Sequence, residues 1–144
     1  MKSVIEVDIE APQARVVALF TDPSRNTAWM EDVDRVEPVA GELGALGSKY
    51  RLMPKKGDMV FTATVLARNL PYEANLSLEA SHVTVQVTGR FVPTGPGTTR
   101  LISEEVFRFN GVGAKLLGLL AQGAIRKAHR RHIEAFKRFA EAQR

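Results

Sequence analysis

The change of hydrophobic period at Asn110-Gly111 constrains this chain most. Before it, apolar and polar residues alternate at period two, as in strands. After it, apolar residues recur every three to four positions to the end, as in a helix. In "HVTVQVTGRFVP" Val83, Val85, Val87, Gly89 and Phe91 share one side, and Thr84, Gln86, Thr88 and Arg90 the other. In "TRLISEEVFRFN" Leu101, Ser103, Glu105, Phe107 and Phe109 share one face, and Arg100, Ile102, Glu104, Val106 and Arg108 the opposite one. At about 100° per residue, Ala121, Ile125, Ala128, His129, His132, Ile133, Phe136, Phe139 and Ala140 fall on one arc of the final helix. Arg126, Lys127, Arg130, Arg131, Glu134, Lys137, Arg138 and Glu141 fall on the other. Burying Ile125, Ile133, Phe136 and Phe139 contributes about 1.5–3 kcal/mol each before entropic costs. Such a helix has to lie on an apolar surface, and a sheet is the large one available.

The other elements follow from local signals. "KSVIEVDIEA" reads as a half-buried strand, and Pro12 opens a short helix with Val16, Val17, Leu19 and Phe20 on its apolar face. Asp22-Pro23 restarts a second short helix that ends near Trp29. "DVDRVEPVA", "SKYRLMP", "DMVFTATVLAR" and "YEANLSLEA" read as further strands, with Lys55-Lys56-Gly57-Asp58 and "TGPGT" as turns. Short connections imply an antiparallel meander of about six to seven strands, which has to curl to limit its exposed edges. The expectation is an α+β fold: a curved antiparallel sheet wrapped around one long C-terminal helix, with two short helices after strand 1. Residues 1–144 show no repeat or linker, so one domain is expected.

Composition narrows the function classes. There is no cysteine, hence no disulfide framework, thiolate nucleophile or cysteine-type zinc site. No apolar run approaches the roughly 20 residues that span a bilayer, and the alternating acidic residues at the N-terminus do not read as a signal peptide. A cytoplasmic location is the expectation. The net charge of +4 is uneven: residues 112–144 carry eight Lys/Arg against two Glu, about +6, and residues 1–111 carry twelve basic against fourteen acidic side chains, about −2. Glu134 and Glu141 interrupt the basic arc, and no stacking aromatics accompany it, so a nucleic-acid partner is not expected.

In its order of elements the chain resembles the START and pollen-allergen (SRPBCC) superfamily, in its polyketide cyclase/dehydrase and lipid-transport branch. The likeness is carried by "VDIEAPQARVVALFTDPSRNTAWM", by Gly47 before "SKYRL", by "GTTRLISEEVF" and by "IEAFKRFAE", spread over residues 2–143. The resemblance implies a helix-grip fold with a cavity between sheet and long helix. Members bind sterols, lipids, quinones, plant hormones or polyketides; some cyclise or dehydrate polyketides; some touch chaperones or ribosomes. The fold therefore does not by itself select a function.

The candidate residues are those placed inward or at the mouth. His129 and His132 lie three apart inside the apolar arc. As metal ligands they lack a third partner of known spacing, and no HExxH pattern is present, so no metal site is expected. They act either as packing residues or as hydrogen-bond partners of a ligand. Glu105 points inward among apolar groups, where a carboxyl has a raised pKa or a partner; Arg51, Arg90 and a histidine are the candidate partners. Glu105 and His132 are the catalytic candidates. The ligand-binding candidates are Trp29, Tyr50, Met59, Phe61, Tyr72, Phe91, Ser103, Glu105, Phe107, Ile125, His129 and His132. A plain core is the alternative for the large apolar ones.

"GVGAKLLGLLAQG" departs from the pattern: Leu116, Leu119 and Leu120 fall off the main arc. Burial against the two short helices is the expected reason; a gate, a dimer contact or a membrane-touching edge are the alternatives. No phosphate-loop spacing and no cofactor motif is present. The leading expectation is a binding protein for a small hydrophobic ligand such as a lipid, quinone or polyketide, acting as monomer or homodimer. A polyketide cyclase/dehydrase-type enzyme and a protein- or membrane-interaction module are the alternatives, with membrane contact not favoured.

Overall fold

The computed structural model describes residues 1–143. Seven strands form one antiparallel sheet: β1 (Lys2–Ile9), β2 (Val33–Ala40), β3 (Lys49–Pro54), β4 (Phe61–Asn69), β5 (Glu73–Ala80), β6 (Val83–Gly95) and β7 (Thr98–Phe109). Their order across the sheet is β1-β7-β6-β5-β4-β3-β2. Strands two to seven are a meander of nearest neighbours. Only β1 is displaced, paired along its length with β7 from Lys2 opposite Val106 to Ile9 opposite Thr99. Between β1 and β2 come α1 (Gln13–Phe20), a 3-10 turn at Pro23–Arg25 and α2 (Asn26–Trp29). Pro12 precedes α1, and the Asp22 carboxylate caps the turn by accepting from the Ser24 N–H at 3.0 Å.

The expected faces of β6 and β7 hold. Val83, Val85, Val87 and Phe91 are buried, as are Leu101 and Ser103, whereas Arg90, Arg100 and Arg108 are exposed. The C-terminal segment differs from the expected single helix. It breaks at Ala121 into α3 (Val112–Leu120) and α4 (Gln122–Ala142). α4 lays His129, Ile133, Phe136 and Ala140 on the sheet and turns Arg126, Lys127, Arg130 and Arg131 outward. Leu116, Leu119 and Leu120 of α3 are not buried against α1 and α2; they face solvent. The physical reason lies in Gly118. Its hydrogen side rests on Phe109, where a Cβ would stand 2.5 Å from ring atoms, so the glycine edge is the one the sheet accepts.

The core is divided. Ile5, Ile9, Val16, Leu19, Trp29, Phe91, Leu101, Ile133 and Phe136 pack between β1, α1, α2 and α4. Phe20 is the hub there, stacked on Trp29 and edge-on to Phe91 and Phe136 at centroid distances of 5.8, 5.6 and 5.1 Å. Gly89 makes room for it: a Cβ at that position would lie 2.9 Å from the Phe20 ring. Separate clusters form around Tyr50, Leu52, Ala63 and Val65 and around Val83, Val85 and Val87. Partly buried Met30, Phe61 and Leu78 bridge the three clusters, and the space between them is the candidate site.

Candidate functional site

Two adjoining chambers with shared walls lie under α4. The inner one, about 80 Å³, is walled by Phe20, Trp29, Tyr50, Leu52, Val65, Leu76, Val87, Ser103 and Ile133, with Asn26, Arg68 and Asn75 at its polar side. The outer one, about 610 Å³, is walled by Val33, Pro54, Met59, Phe61, Val85, Phe107, Ile125 and Ala128, with Lys55 and Lys56 at its edge. Met30, Leu52, Leu78, Glu105 and His132 belong to both walls, so Glu105 and His132 stand where the chambers meet.

Glu105 is inward because β7 alternates; Ser3 of β1 and Val87 of β6 are its cross-strand neighbours. Its side chain is 21% exposed, and burial pushes its carboxyl up to about 7. Neither Arg51 nor Arg90 reaches it: Arg90 pairs with Glu73 at 3.1 Å and with Glu104 at 3.5 Å. Among the described residues no side chain hydrogen-bonds to the Glu105 carboxyl, and the closest basic atom is Nδ1 of His129 at 3.8 Å. That imidazole does not act as a counter-ion, because burial pulls its pKa down to about 4, with His132 and Arg130 adding to the effect.

His129 is 1% exposed. Its Nδ1 lies 2.8 Å from Ser3 Oγ and its Nε2 lies 2.9 Å from Ser103 Oγ. One ring N–H donates to one serine, and the other serine donates to the bare nitrogen. Both nitrogens are therefore occupied by protein. The ring borders the outer chamber but spends its polar atoms on tying α4 to β1 and β7. Ser103, a ligand candidate by its inward position, is used in the same clamp.

His132 is different. Its Nε2–H donates to Asp32 Oδ2 at 3.2 Å, and Arg131 approaches the same oxygen at 3.5 Å. The hydrogen bond from His132 is the largest of the effects that hold the Asp32 carboxyl below the usual carboxylate range. The second ring nitrogen of His132 makes no protein hydrogen bond among the described residues, and the ring lines both chambers.

The remaining candidates separate into groups. Trp29 and Tyr50 wall the inner chamber; Phe61, Phe107, Ile125 and Met59 wall the outer one, with Met59 60% exposed at the mouth. Two do not join them. Phe91 lines neither chamber, because it is packed under α1 against Phe20. Tyr72 also lies outside both; it is exposed in the turn between β4 and β5. Residues the sequence reading did not single out are Asp32, Asn26, Asn75, Met30 and Leu78. Trp29 and Asn75 each keep a buried polar atom, Nε1 and Oδ1, with no hydrogen-bond partner. No group of three His, Asp or Glu among the described residues is arranged to hold a metal ion.

With this geometry, the comparison with known proteins is decisive at the level of family. Residues 1–141 match the polyketide cyclase / dehydrase and lipid transport family. The chain belongs to it. No protein of curated function matches in sequence. Solved structures share the family's helix-grip fold at low identity. The protein TTHA0849 from Thermus thermophilus superposes with a TM-score of 0.81 at 18% identity, covering 99% of this chain and 98% of that one. A protein from Nitrosospira multiformis gives 0.75 at 13%, covering 99% and 98%. Norcoclaurine synthase from Thalictrum flavum, in complex with dopamine and hydroxybenzaldehyde, gives 0.70 at 13%, covering 100% and 89%. At these identities the likeness is one of fold. The family assignment and the fold agree on a ligand-binding helix-grip protein.

Proposed function

We propose that this chain binds a small, predominantly hydrophobic molecule, of lipid, quinone or polyketide type, with its apolar body in the outer chamber and a polar end at Glu105 and His132. The observation that carries this is the composition of the outer chamber: about 610 Å³ of space with a mostly apolar wall, charged Glu31, Asp32, Lys55 and Lys56 on that wall, and Glu105 and His132 where it adjoins the inner chamber. Met30 and Met59 in its wall are unbranched and adapt to the shape of an occupant. The Glu105 carboxyl, raised to about 7 by burial, offers an O–H when protonated, and the free nitrogen of His132 offers one further hydrogen bond. A cytoplasmic location and a monomeric or homodimeric state belong to the same proposal.

Native mass spectrometry of freshly purified protein, compared with its denatured mass, tests it. Added mass that vanishes on denaturation is the expected result, with weaker retention in Glu105→Gln and His132→Ala. A bare protein that also takes up no apolar fluorescent probe counts against the proposal.

A second reading, an acid–base enzyme, is supported by Glu105 itself. A carboxyl poised at about 7, facing a cavity and without a protein partner, is suited both to donate and to accept a proton at neutral pH. In this reading the substrate is a small molecule with an enolisable carbon, and Glu105 moves its proton. Turnover that Glu105→Gln abolishes while ligand retention survives selects this reading over simple carriage.

A further inference from the structure

We infer that α3 is a docking element for an anionic lipid surface. Its orientation is the reverse of an ordinary surface helix. Val112, Leu116, Leu117, Leu119 and Leu120 are between 57% and 88% exposed. At 100° per residue they share an arc of about 160°, and Gly118 lies opposite it, against Phe109. The helix thus presents its leucines outward and its glycine to the sheet.

Charge complementarity identifies the occupant. From Gly111 to Ile133 the chain carries Lys115, Arg126, Lys127, Arg130 and Arg131 and no acidic residue. The four arginines and lysines of α4 among them are exposed. Lys55 and Lys56, also exposed, lie at the edge of the outer chamber whose wall includes Ile125 of α4, and they extend the basic surface. The acidic groups that face these cations are Glu134, paired with Arg130 at 3.7 Å, Asp32, engaged by His132 and Arg131, and Glu31 and Asp58 at the chamber edges, so Lys115, Arg126, Lys127, Lys55 and Lys56 carry the excess charge. An apolar wedge with cations beside it matches the interface of a bilayer that bears negative headgroups. A second copy fits less well. A two-fold contact through α3 would bring the basic set Lys115, Arg126 and Lys127 of one copy toward the same basic set of the other. Among the described residues no helix is long and apolar enough to cross a membrane, so the contact is one of lying in the interface. It does not depend on what the chambers hold.

The test is co-sedimentation of the full chain with phosphatidylcholine vesicles, with and without about 30% phosphatidylserine. The expected result is binding to the anionic vesicles about tenfold or more tighter than to the neutral ones, weakened by salt at about 0.5 M. The Leu116→Gln/Leu120→Gln variant is expected to lose at least about tenfold in partitioning with its melting temperature unchanged, since both side chains are already in solvent. In a Leu120→Trp variant, the emission of the new indole is expected to shift to the blue on adding anionic vesicles. Three results overturn the inference: no binding of the folded protein to anionic vesicles, equal binding by the double glutamine variant, or a wild-type dimer in sedimentation velocity that this variant converts to monomer.

Discussion

Glu105 and His129 sit 3.8 Å apart and pull stability in opposite directions with pH. Glu105 keeps its proton up to about pH 7 in the fold but only to about 4.5 when unfolded. Its contribution is complete below 4.5 and is lost as pH rises to about 7, a total of about 3 kcal/mol. His129 stays neutral down to about 4 in the fold and takes a proton near 6.5 when unfolded. Its contribution is complete above 6.5 and is lost as pH falls to about 4, again about 3 kcal/mol. Between 4.5 and 6.5 the two slopes cancel. Glu105→Gln is therefore expected to raise stability at pH 8 by about 3 kcal/mol and to leave a stability that declines steadily from pH 6.5 to 4. Denaturant titrations at pH 4.5, 6.5 and 8 check this, and a variant no more stable than wild type at pH 8 refutes the burial of the charge. Ser103→Ala leaves one nitrogen of a buried imidazole without a partner and is expected to cost about 1–3 kcal/mol, read from the same titrations.

At the scale of elements, two glycines are the seats on which other pieces rest. Gly89→Ala sets a methyl 2.9 Å from Phe20 and disturbs the aromatic hub, with an expected cost of about 1–3 kcal/mol in thermal unfolding. Gly118→Ala meets the Phe109 ring at 2.5 Å and is expected to lift α3 away while leaving α4 in place, which amide exchange resolves as faster exchange in residues 112–120 alone. The elements themselves were legible wherever one face is buried. β6 and β7 declare their inward sides by strict alternation, and α4 declares its own by a clean division between Ile133, Phe136 and Ala140 and the arginines opposite. α3 was not legible in this way. Its leucines share one arc, which pattern alone would turn inward, and only the seat of Gly118 on Phe109 turns that arc to solvent. The break at Ala121 was hidden as well.

Across the whole molecule, the family and a sheet of about six to seven strands followed from the order of elements, whereas the lining of the two chambers was only partly visible. Trp29, Tyr50, Phe61, Glu105, Phe107, Ile125 and His132 could be placed by parity and by arc. The pairing of His132 with Asp32, one hundred residues earlier, and the clamp of Ser3 and Ser103 on His129 depend on how the sheet curls, which no local pattern encodes. Phe91 is inward, as its parity implies, but lies outside the chambers because an inward face says nothing about whether the space beneath it is filled; Tyr72 lies outside them because a turn has no parity. The division between filled and hollow gives a prediction of its own. Ala128→Leu extends a side chain into the outer chamber, so it is expected to abolish retention of an apolar probe while changing stability by less than about 1 kcal/mol.

The pairing of β1 has a bearing on how the protein is made. β1 contributes Ser3, Ile5 and Ile9 to the interior, yet among the described residues its one strand partner is β7, and its histidine clamp reaches to a residue 126 positions later. While a ribosome is still building the meander, this early strand has emerged with its hydrogen-bonding edge and its apolar side chains uncommitted. It has to wait, open to other chains and to chaperones, until β7 and α4 have followed it out. The closing of this domain thus waits on the synthesis of β7 and α4, which give β1 its place.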